Sequence, residues 1–413
     1  VQFHETKLDN GLQLIGEINP QAHSVAVGFF VQTGSRDESL EEAGVSHFLE
    51  HMVFKGTARR DSLAVNLDLD KIGAKHNAQT SEEDTIYHVT CLPEHLPRAL
   101  EILADILRPS LRDEDFRTEK KVILEEIQMH LDNPLSVAYE HAMGAHYSEH
   151  PLGHSILGTL DSIGGLEVKR MREYFAHRYV PSNMVLAIAG NTEWARFVEL
   201  ANAACGTWSD GAATRPTLPV RSRPALETIE RADDQQQTTV AIGDAPPVES
   251  DCRYAALLLA TILGDATGSR LYWALVDPGL ADSADLSYHD FHGAGAFFTV
   301  LTCEPSEAEQ NLGRIAAIYR AMKAERPTGE ELVQAQNKVM GRLVLRNDRA
   351  FWRMMTIGSH WTGRREYLSV DDELDAISRV TLDDIREVLE RWPPEMRTIV
   401  SVGPCTRIKQ PRD

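Results

Sequence analysis

Two hydrophobic periods run through the chain, one of about 2 residues and one of about 3.6, and the switches between them mark out strands and helices. Residues 12–18, set off by the turn Asp9-Asn10-Gly11, and residues 24–33, rich in Val and Phe, read as strands. Within 43–57 the residues Val45, Phe48, Leu49, Met52 and Val53 recur at helical spacing, and Gly56 closes the element. Ser62 offers a cap for a further helix ending near residue 72. Residues 75–81 and 85–92 read as paired strands around Glu82-Glu83-Asp84, and Pro93 starts a helix reaching Leu107. Helices over 113–131 and from Pro134 to 147 follow, then a loop over 150–158, a helix through Tyr179, an apolar strand over 183–190 and a helix over 193–204.

Residues 209–226 carry Gly211, Pro216, Pro219 and Pro224 among small and basic residues, the composition of a linker. Beyond it the order repeats: a strand over 237–242, helices over 254–263 and 269–276, and strands near 284–289 and 296–303. Three long helices follow, the second opened by the capping box Thr328-x-x-Glu331, and the chain closes on an apolar strand over 397–403. Each half begins with strands, places a helix next and ends on an apolar strand stopped by glycine, Gly190 or Gly403. The pattern predicts an α+β fold of two homologous domains, each a mostly antiparallel sheet with helices packed on one face. The expected domains are 1–210 and 227–413, joined by a linker over 211–226.

The composition narrows the function classes. A length of 413 residues suits two domains, and 42% hydrophobic with 25% charged residues is ordinary for a globular protein. No run approaches the roughly 20 apolar residues of a membrane span. A net charge of −20 argues against nucleic acid, whose phosphates demand Lys and Arg. Five scattered cysteines without a C-x-x-C pair point to unpaired thiols in a reducing compartment and away from a cysteine zinc cage. No basic-then-apolar leader is visible, so the expected location is the cytoplasm. A periplasmic location after removal of a leader is the alternative, since residue 1 is Val.

Chemistry concentrates in the 43–57 helix. His47 and His51 stand at i and i+4, so both imidazoles leave one face about a turn apart, the span one metal ion requires. Glu50 borders that face. Two imidazoles and a nearby carboxylate provide two ligands and a base, the needs of a zinc hydrolase. The order His-x-x-Glu-His is the inverted form of the zincin motif. The corresponding helix of the second half, residues 254–263, carries no such ligand. A catalytic zinc usually has three protein ligands, and the 113–131 helix offers Glu119, Glu125 and Glu126. Glu119 and Glu126, seven apart, share a face with Val122 and Ile123, whereas Glu125 points about 100° away. A helix burying Val122 and Ile123 turns Glu119 and Glu126 inward; a solvated charged surface is the plainer account of the same residues.

Taken together, Gly44–Thr57, Asn77-Ala78, the Glu119–Glu126 helix, Pro151–Gly158 and Tyr179–Gly190 resemble the pitrilysin, or inverted zincin, metallopeptidase family, which includes insulin-degrading enzyme and the mitochondrial processing peptidase. The resemblance covers nearly the whole chain. It implies a zinc endopeptidase with one Zn2+ per chain, ligated by His47, His51 and Glu126, with Glu50 as the base and Glu119 orienting a ligating His. Asn77 and Ala78 would lie on a sheet edge where an extended peptide adds as a further strand. Short members of the family pair face to face around a closed chamber that admits peptides or unfolded segments. Some subunits of this fold are non-catalytic core proteins of assemblies, which is the alternative reading.

One departure from the family pattern bears on partners. Active members carry an Arg and a Tyr in the domain matching the second half, and the Tyr stabilises the oxyanion. This chain keeps the surrounding frame, Ser269-Arg270-Leu271-Tyr272 and Gly279-Leu280-Ala281, but the Arg position falls on Val276 and the Tyr position on Asp282. Tyr288 is the available stand-in. The resemblance therefore implies a heterodimer in which a homologous partner supplies Arg and Tyr.

Overall fold

A computed structural model of the chain describes residues 1–216 and 218–411; Thr217 of the expected linker lies outside the described residues. One sheet is built from β1 (Gln2–Lys7), β2 (Gln13–Ile18), β3 (Val25–Val31), β4 (Lys75–Thr80), β5 (Thr85–Cys91) and β6 (Met184–Gly190). A second is built from β7 (Ala225–Glu230), β8 (Gln237–Asp244), β9 (Ser283–Phe291), β10 (Ala294–Cys303) and β11 (Thr398–Gly403). The orders are β1-β2-β6-β3-β5-β4 and β7-β11-β8-β10-β9. Adding five to each strand number turns β2-β6-β3-β5-β4 into the second order. The pairs β2/β6 and β7/β11 are parallel and the others antiparallel, so the duplication extends to strand direction.

The helices in chain order are α1 (Val45–Val53), α2 (Ser62–Lys71), α3 (Leu96–Ile106), α4 (Asp113–Asp132), α5 (Pro134–Tyr147), α6 (Leu160–Gly165), α7 (Val168–Arg178) and α8 (Trp194–Cys205). The second half adds α9 (Arg253–Gly264), α10 (Ala308–Glu325), α11 (Gly329–Asn347), α12 (Ala350–Arg364), α13 (Val370–Ser378) and α14 (Leu382–Arg391). The expected element order is present, with local differences. β1 and β7 are strands that the sequence did not announce, because their residues are too exposed to alternate clearly. Asp61, not Ser62, caps α2, its carboxylate accepting the N–H of Ala64 at 2.8 Å. Residues 272–276 form a short π-helical turn where a longer helix was expected, and five helices, not three, follow β10.

Helices cover both faces of the central strands. Every residue of β3 is buried, and since successive side chains point to opposite faces, both faces are shielded. Ala26 and Phe30 meet Ala350, Met354, Met355, Ile357 and Trp361 of α12, leaving Val27 and Phe29 for the face served by helices of the first half. The second sheet shows the reciprocal arrangement: Val137, Ala138, Ala142 and Met143 of α5 lie against Val240, Ile242, Phe298, Val400 and Val402.

The compact units accordingly differ from contiguous domains of 1–210 and 227–413. The first consists of Val1–Gln128, His154–Pro216 and Leu345–Leu368, and the second takes the remaining described residues. Each half lends one helix to the other half's sheet, because an apolar sheet face must be covered and an amphipathic helix suits the task wherever it stands in sequence. The expected linker is not slack throughout. Arg215 pairs with Asp37 at 2.6 Å inside the first unit, and Ala225 already belongs to β7.

Candidate metal centre

The site grows from the way α1 is held. Gly44 enters the helix with φ of 89°, a left-handed conformation that glycine adopts without penalty. No side chain of the helix-capping type stands there. Instead the buried carboxyl of Glu38 accepts the backbone N–H groups of Gly44 at 2.6 Å and Ser46 at 2.7 Å, satisfying two of the unpaired donors at the start of the helix. Burial nevertheless pushes the Glu38 carboxyl up to about 8, against the pull of those donors. Val45, Phe48, Leu49, Met52 and Val53 are fully or almost fully buried. The phase they set brings His47 and His51 out together, ring centroids 4.8 Å apart.

Helix α4 is fastened to α1 by the stacked rings of Phe48 and Phe116, 4.8 Å apart. Its buried face is Phe116, Glu119, Ile123 and Ile127. Val122, expected inside with Ile123, is 44% exposed, because the inward stripe follows the i, i+4, i+8 line instead. Glu119 and Glu126 still turn inward, while Glu125 is exposed.

The resulting distances are those of a donor cluster. Nε2 of His47 lies 3.7 Å from Oε1 of Glu126, and Nε2 of His51 lies 3.6 Å from Oε2. One donor atom from each of the three residues falls within 4.8 Å of the others. Ligand atoms bonded to a tetrahedral zinc at about 2.1 Å stand about 3.4 Å apart, so this set of two imidazoles and a carboxylate fits zinc in spacing and in chemistry. The Nδ1–H of His51 donates to Oε1 of Glu119 at 2.9 Å, which leaves the Nε2 lone pair facing the cluster. Lys55 completes the grip, its Nζ 2.6 Å from Oε2 of Glu119. Burial works to raise the Glu119 carboxyl, yet the hydrogen bonds from His51 and Lys55 outweigh it and hold the group below the usual range. For His51 burial works downward, and the bond to Glu119 with the charge of Glu126 overcomes it, leaving the imidazole above its ordinary value.

Glu50 differs from both. Burial raises its carboxyl, partly countered by the hydroxyl of Thr80, which donates to Oε2 at 2.5 Å. A carboxyl shifted upward and placed beside the donor cluster suits a general base. Thr80 was not foreseen; its only signal was its place at the end of the strand that carries Asn77 and Ala78. Nor were Tyr87 and Tyr179, whose buried hydroxyls meet at 2.8 Å and whose phenols burial and nearby charge, including Glu50, keep protonated. Asn77 and Ala78 lie on β4, the edge strand of the first sheet.

The second-half frame has other commitments. Arg270 forms a two-point pair with Glu331, at 2.7 and 3.0 Å. Asp282 accepts from Gln236 Nε2 at 2.7 Å, and the Tyr288 hydroxyl donates to the Pro246 carbonyl at 2.8 Å. Val276 packs partly buried against the second unit's core. No helix among the described residues is long and apolar enough to cross a membrane.

Comparison with known proteins finds relatives along nearly the whole chain. Residues 14–160 match the family described as insulinase, peptidase family M16, and residues 165–339 match the M16 inactive domain. A protein of Streptomyces coelicolor named as an uncharacterised zinc protease is 31% identical over 97% of this chain and 89% of its own length. One so named from Bacillus subtilis is 30% identical over 96% of this chain and 97% of its own. A protease from Helicobacter pylori superposes with a TM-score of 0.90 at 20% identity, covering 98% of this chain and 99% of that one. An M16 inactive-domain structure from Pseudomonas fluorescens gives 0.91 at 17%, covering 99% and 100%. With a zinc-type donor cluster on its first repeat and matches spanning both repeats, the chain belongs to the insulinase family of peptidases, M16.

Proposed function

We propose that this chain is the zinc-bearing subunit of an endopeptidase, with one zinc held by His47, His51 and Glu126. The observation that carries the reading is the convergence of the three donor groups beside a half-buried carboxylate of raised pKa. Zinc, when bound, supplies Lewis acidity toward a peptide carbonyl and toward water. Glu50 is the proton carrier, taking a proton from the attacking water and returning it to the leaving amine. Thr80 steadies the Glu50 carboxylate, and Glu119, charged by its contacts with His51 and Lys55, fixes the His51 tautomer. The substrate lies along the β4 edge past Asn77 and Ala78, its backbone hydrogen-bonding as an added strand. Peptides and unfolded segments fit that mode, since folded chains have no free strand to offer. The five free cysteines support a reducing compartment, and the cytoplasm is the location we propose.

The same reading includes a heterodimer. Val276 and Asp282 stand where the family's Arg and Tyr are expected, and a carboxylate would repel a developing oxyanion. The Tyr288 and Arg270 side chains are engaged elsewhere. A homologous partner that lacks its own zinc motif would supply both groups, closing a chamber around the peptide. The second reading, a non-catalytic core subunit, is favoured by the match of residues 165–339 to a domain described as inactive. Retention of Glu50 beside the donor cluster speaks against it, since a scaffold has no use for a base. The deciding experiment assays zinc content and cleavage of a fluorogenic peptide by this chain, by its co-purifying homologue and by the mixture. Activity confined to the mixture supports the heterodimer. Full activity of the isolated chain removes the partner, and inactivity of all three with zinc bound favours the core subunit.

A further inference from the structure

The edge strand β4 runs from the donor cluster, on the α1 face of the sheet, to a cavity on the α12 face near its other end, and side chains of an added strand would reach both faces in alternation. Thr80, at one end of the strand, touches Glu50; Lys75, five residues earlier, lies about 16 Å along an extended chain. At that far end the first unit holds a cavity of about 900 Å³, lined by residues 75–77, by His88 and Thr90 of β5, by the 19–24 loop and by residues 348–352 at the start of α12.

The lining reverses the sign of the molecule. The chain carries a net −20, yet the charged groups of this cavity are Lys75 and Arg349 against the single carboxylate of Asp348, with three imidazoles, His23, His76 and His88, among them. Neither Lys75 nor Arg349 has an ion-pair partner among the described residues, and both are exposed. The walls are firm. The ring of Phe351 lies 4.7 Å from that of His88, and the Arg346 guanidinium sits 4.0 Å over the ring of Trp352. His88 contributes a ring to the wall, with its Nδ1 buried behind the surface and without a hydrogen-bond partner. Burial pushes that imidazole down to about 4, so it is neutral and the charge of the cavity comes from Lys75 and Arg349.

We propose that this cavity is a subsite for an acidic side chain of the bound peptide, an Asp or Glu about three to five residues from the scissile bond. The distance follows from β4 itself, since Thr80 marks the cluster end and residues 75–77 the cavity end. The inference rests on the reading of β4 as the edge to which substrate adds.

The test uses the Glu50→Gln chain together with its co-purifying homologue, so that binding is read in the complete assembly and without turnover. A neutral peptide is scanned with a single Glu, with Gln at the same position as reference, and affinity is followed by fluorescence anisotropy. In one window of positions the Glu peptide binds about fivefold more tightly, the scale of a solvent-accessible ion pair. The preference shrinks at high salt, and in Arg349→Glu or Lys75→Glu it falls away and turns toward a Lys-bearing peptide. Equal binding of Glu and Gln peptides at every position, no saturable binding at all, or a preference that survives both charge reversals would overturn the subsite. The parent chain, tested for cleavage of the same peptides with its partner present, separates the two readings. A Glu preference in binding without any cleavage leaves the subsite standing and removes the peptidase reading.

Discussion

The His51 imidazole is held between two carboxylates, donating from Nδ1 to Glu119 at 2.9 Å while its Nε2 lies 3.6 Å from Glu126. The two acids therefore have different tasks. Glu126→Gln removes a charged donor from the cluster and is expected to abolish tight zinc binding. Glu119→Gln keeps the donors but loosens the ring, and zinc affinity should fall about 10- to 100-fold. Glu125→Gln, on the exposed side of α4, should leave affinity unchanged. Competition against a chelator of known affinity measures all three, and equal losses for Glu125→Gln and Glu126→Gln would contradict the phase of the helix.

Glu50 stands beside the donors without being counted among them. Glu50→Gln should retain zinc and lose turnover by at least about a hundredfold, the usual contribution of a general base. Metal analysis and peptide hydrolysis on the same sample provide the check. Near-normal turnover with zinc bound would exclude the role.

Thr80 lowers the Glu50 carboxyl by donating to it, partly cancelling the upward push of burial. Thr80→Val removes that donor at nearly constant volume, so the Glu50 pKa rises further. The base is active when ionised. The acid limb of the kcat/KM profile should therefore move to higher pH, while the alkaline limb stays where it is. An unchanged acid limb would show that another group controls it.

Glu38 links the site to folding stability. Its carboxyl is raised from an ordinary 4.5 to about 8 by burial, so between those values the native state holds a proton that the unfolded chain has released. The unfolded state then binds fewer protons, and stability falls as pH rises through that window. Urea midpoints of the parent should decline from pH 5 to pH 8 more steeply than those of Glu38→Gln, which cannot ionise. Gln still offers an oxygen to only one of the Gly44 and Ser46 N–H groups, and a cost of about 1–3 kcal/mol is expected at pH 5. Parallel pH slopes for the two proteins would refute the assignment.

The chemistry of the centre was more legible than its surroundings. His47, Glu50 and His51 lie within one helix, where spacing alone fixes relative direction, and seven-residue spacing likewise aligned Glu119 with Glu126. What joins distant segments left little trace. Thr80 reaches Glu50 across 30 residues, and the Tyr87–Tyr179 pair spans 92. Val122 was misplaced because the buried stripe of α4 is narrow, running through Glu119, Ile123 and Ile127, and local pattern does not say which of two adjacent apolar residues joins it. Asp61 and Ser62 are both good capping residues, and only the backbone turn chose between them. The duplication was readable from the recurring order of strands and helices along the chain, whereas the order of strands within each sheet was not. The exchange of α5 and α12 was not, since an amphipathic helix shows which of its sides is apolar but not which sheet will cover it.

That exchange has a consequence for how the protein is made. Glu17 of β2 meets Arg353 of α12 across 336 residues, and the apolar row of Ala26, Phe30, Val185 and Ala187 stays bare until α12 has left the ribosome. The nascent first half must wait, sticky side uncovered, while more than 150 further residues, from Gly190 to Ala350, are translated. Closure over so long a loop is slow, and the waiting intermediate is the species most prone to aggregate. A ribosome stalled near residue 210 should thus display a chain that chaperones bind, and release from them should coincide with emergence of the helix that begins at Ala350.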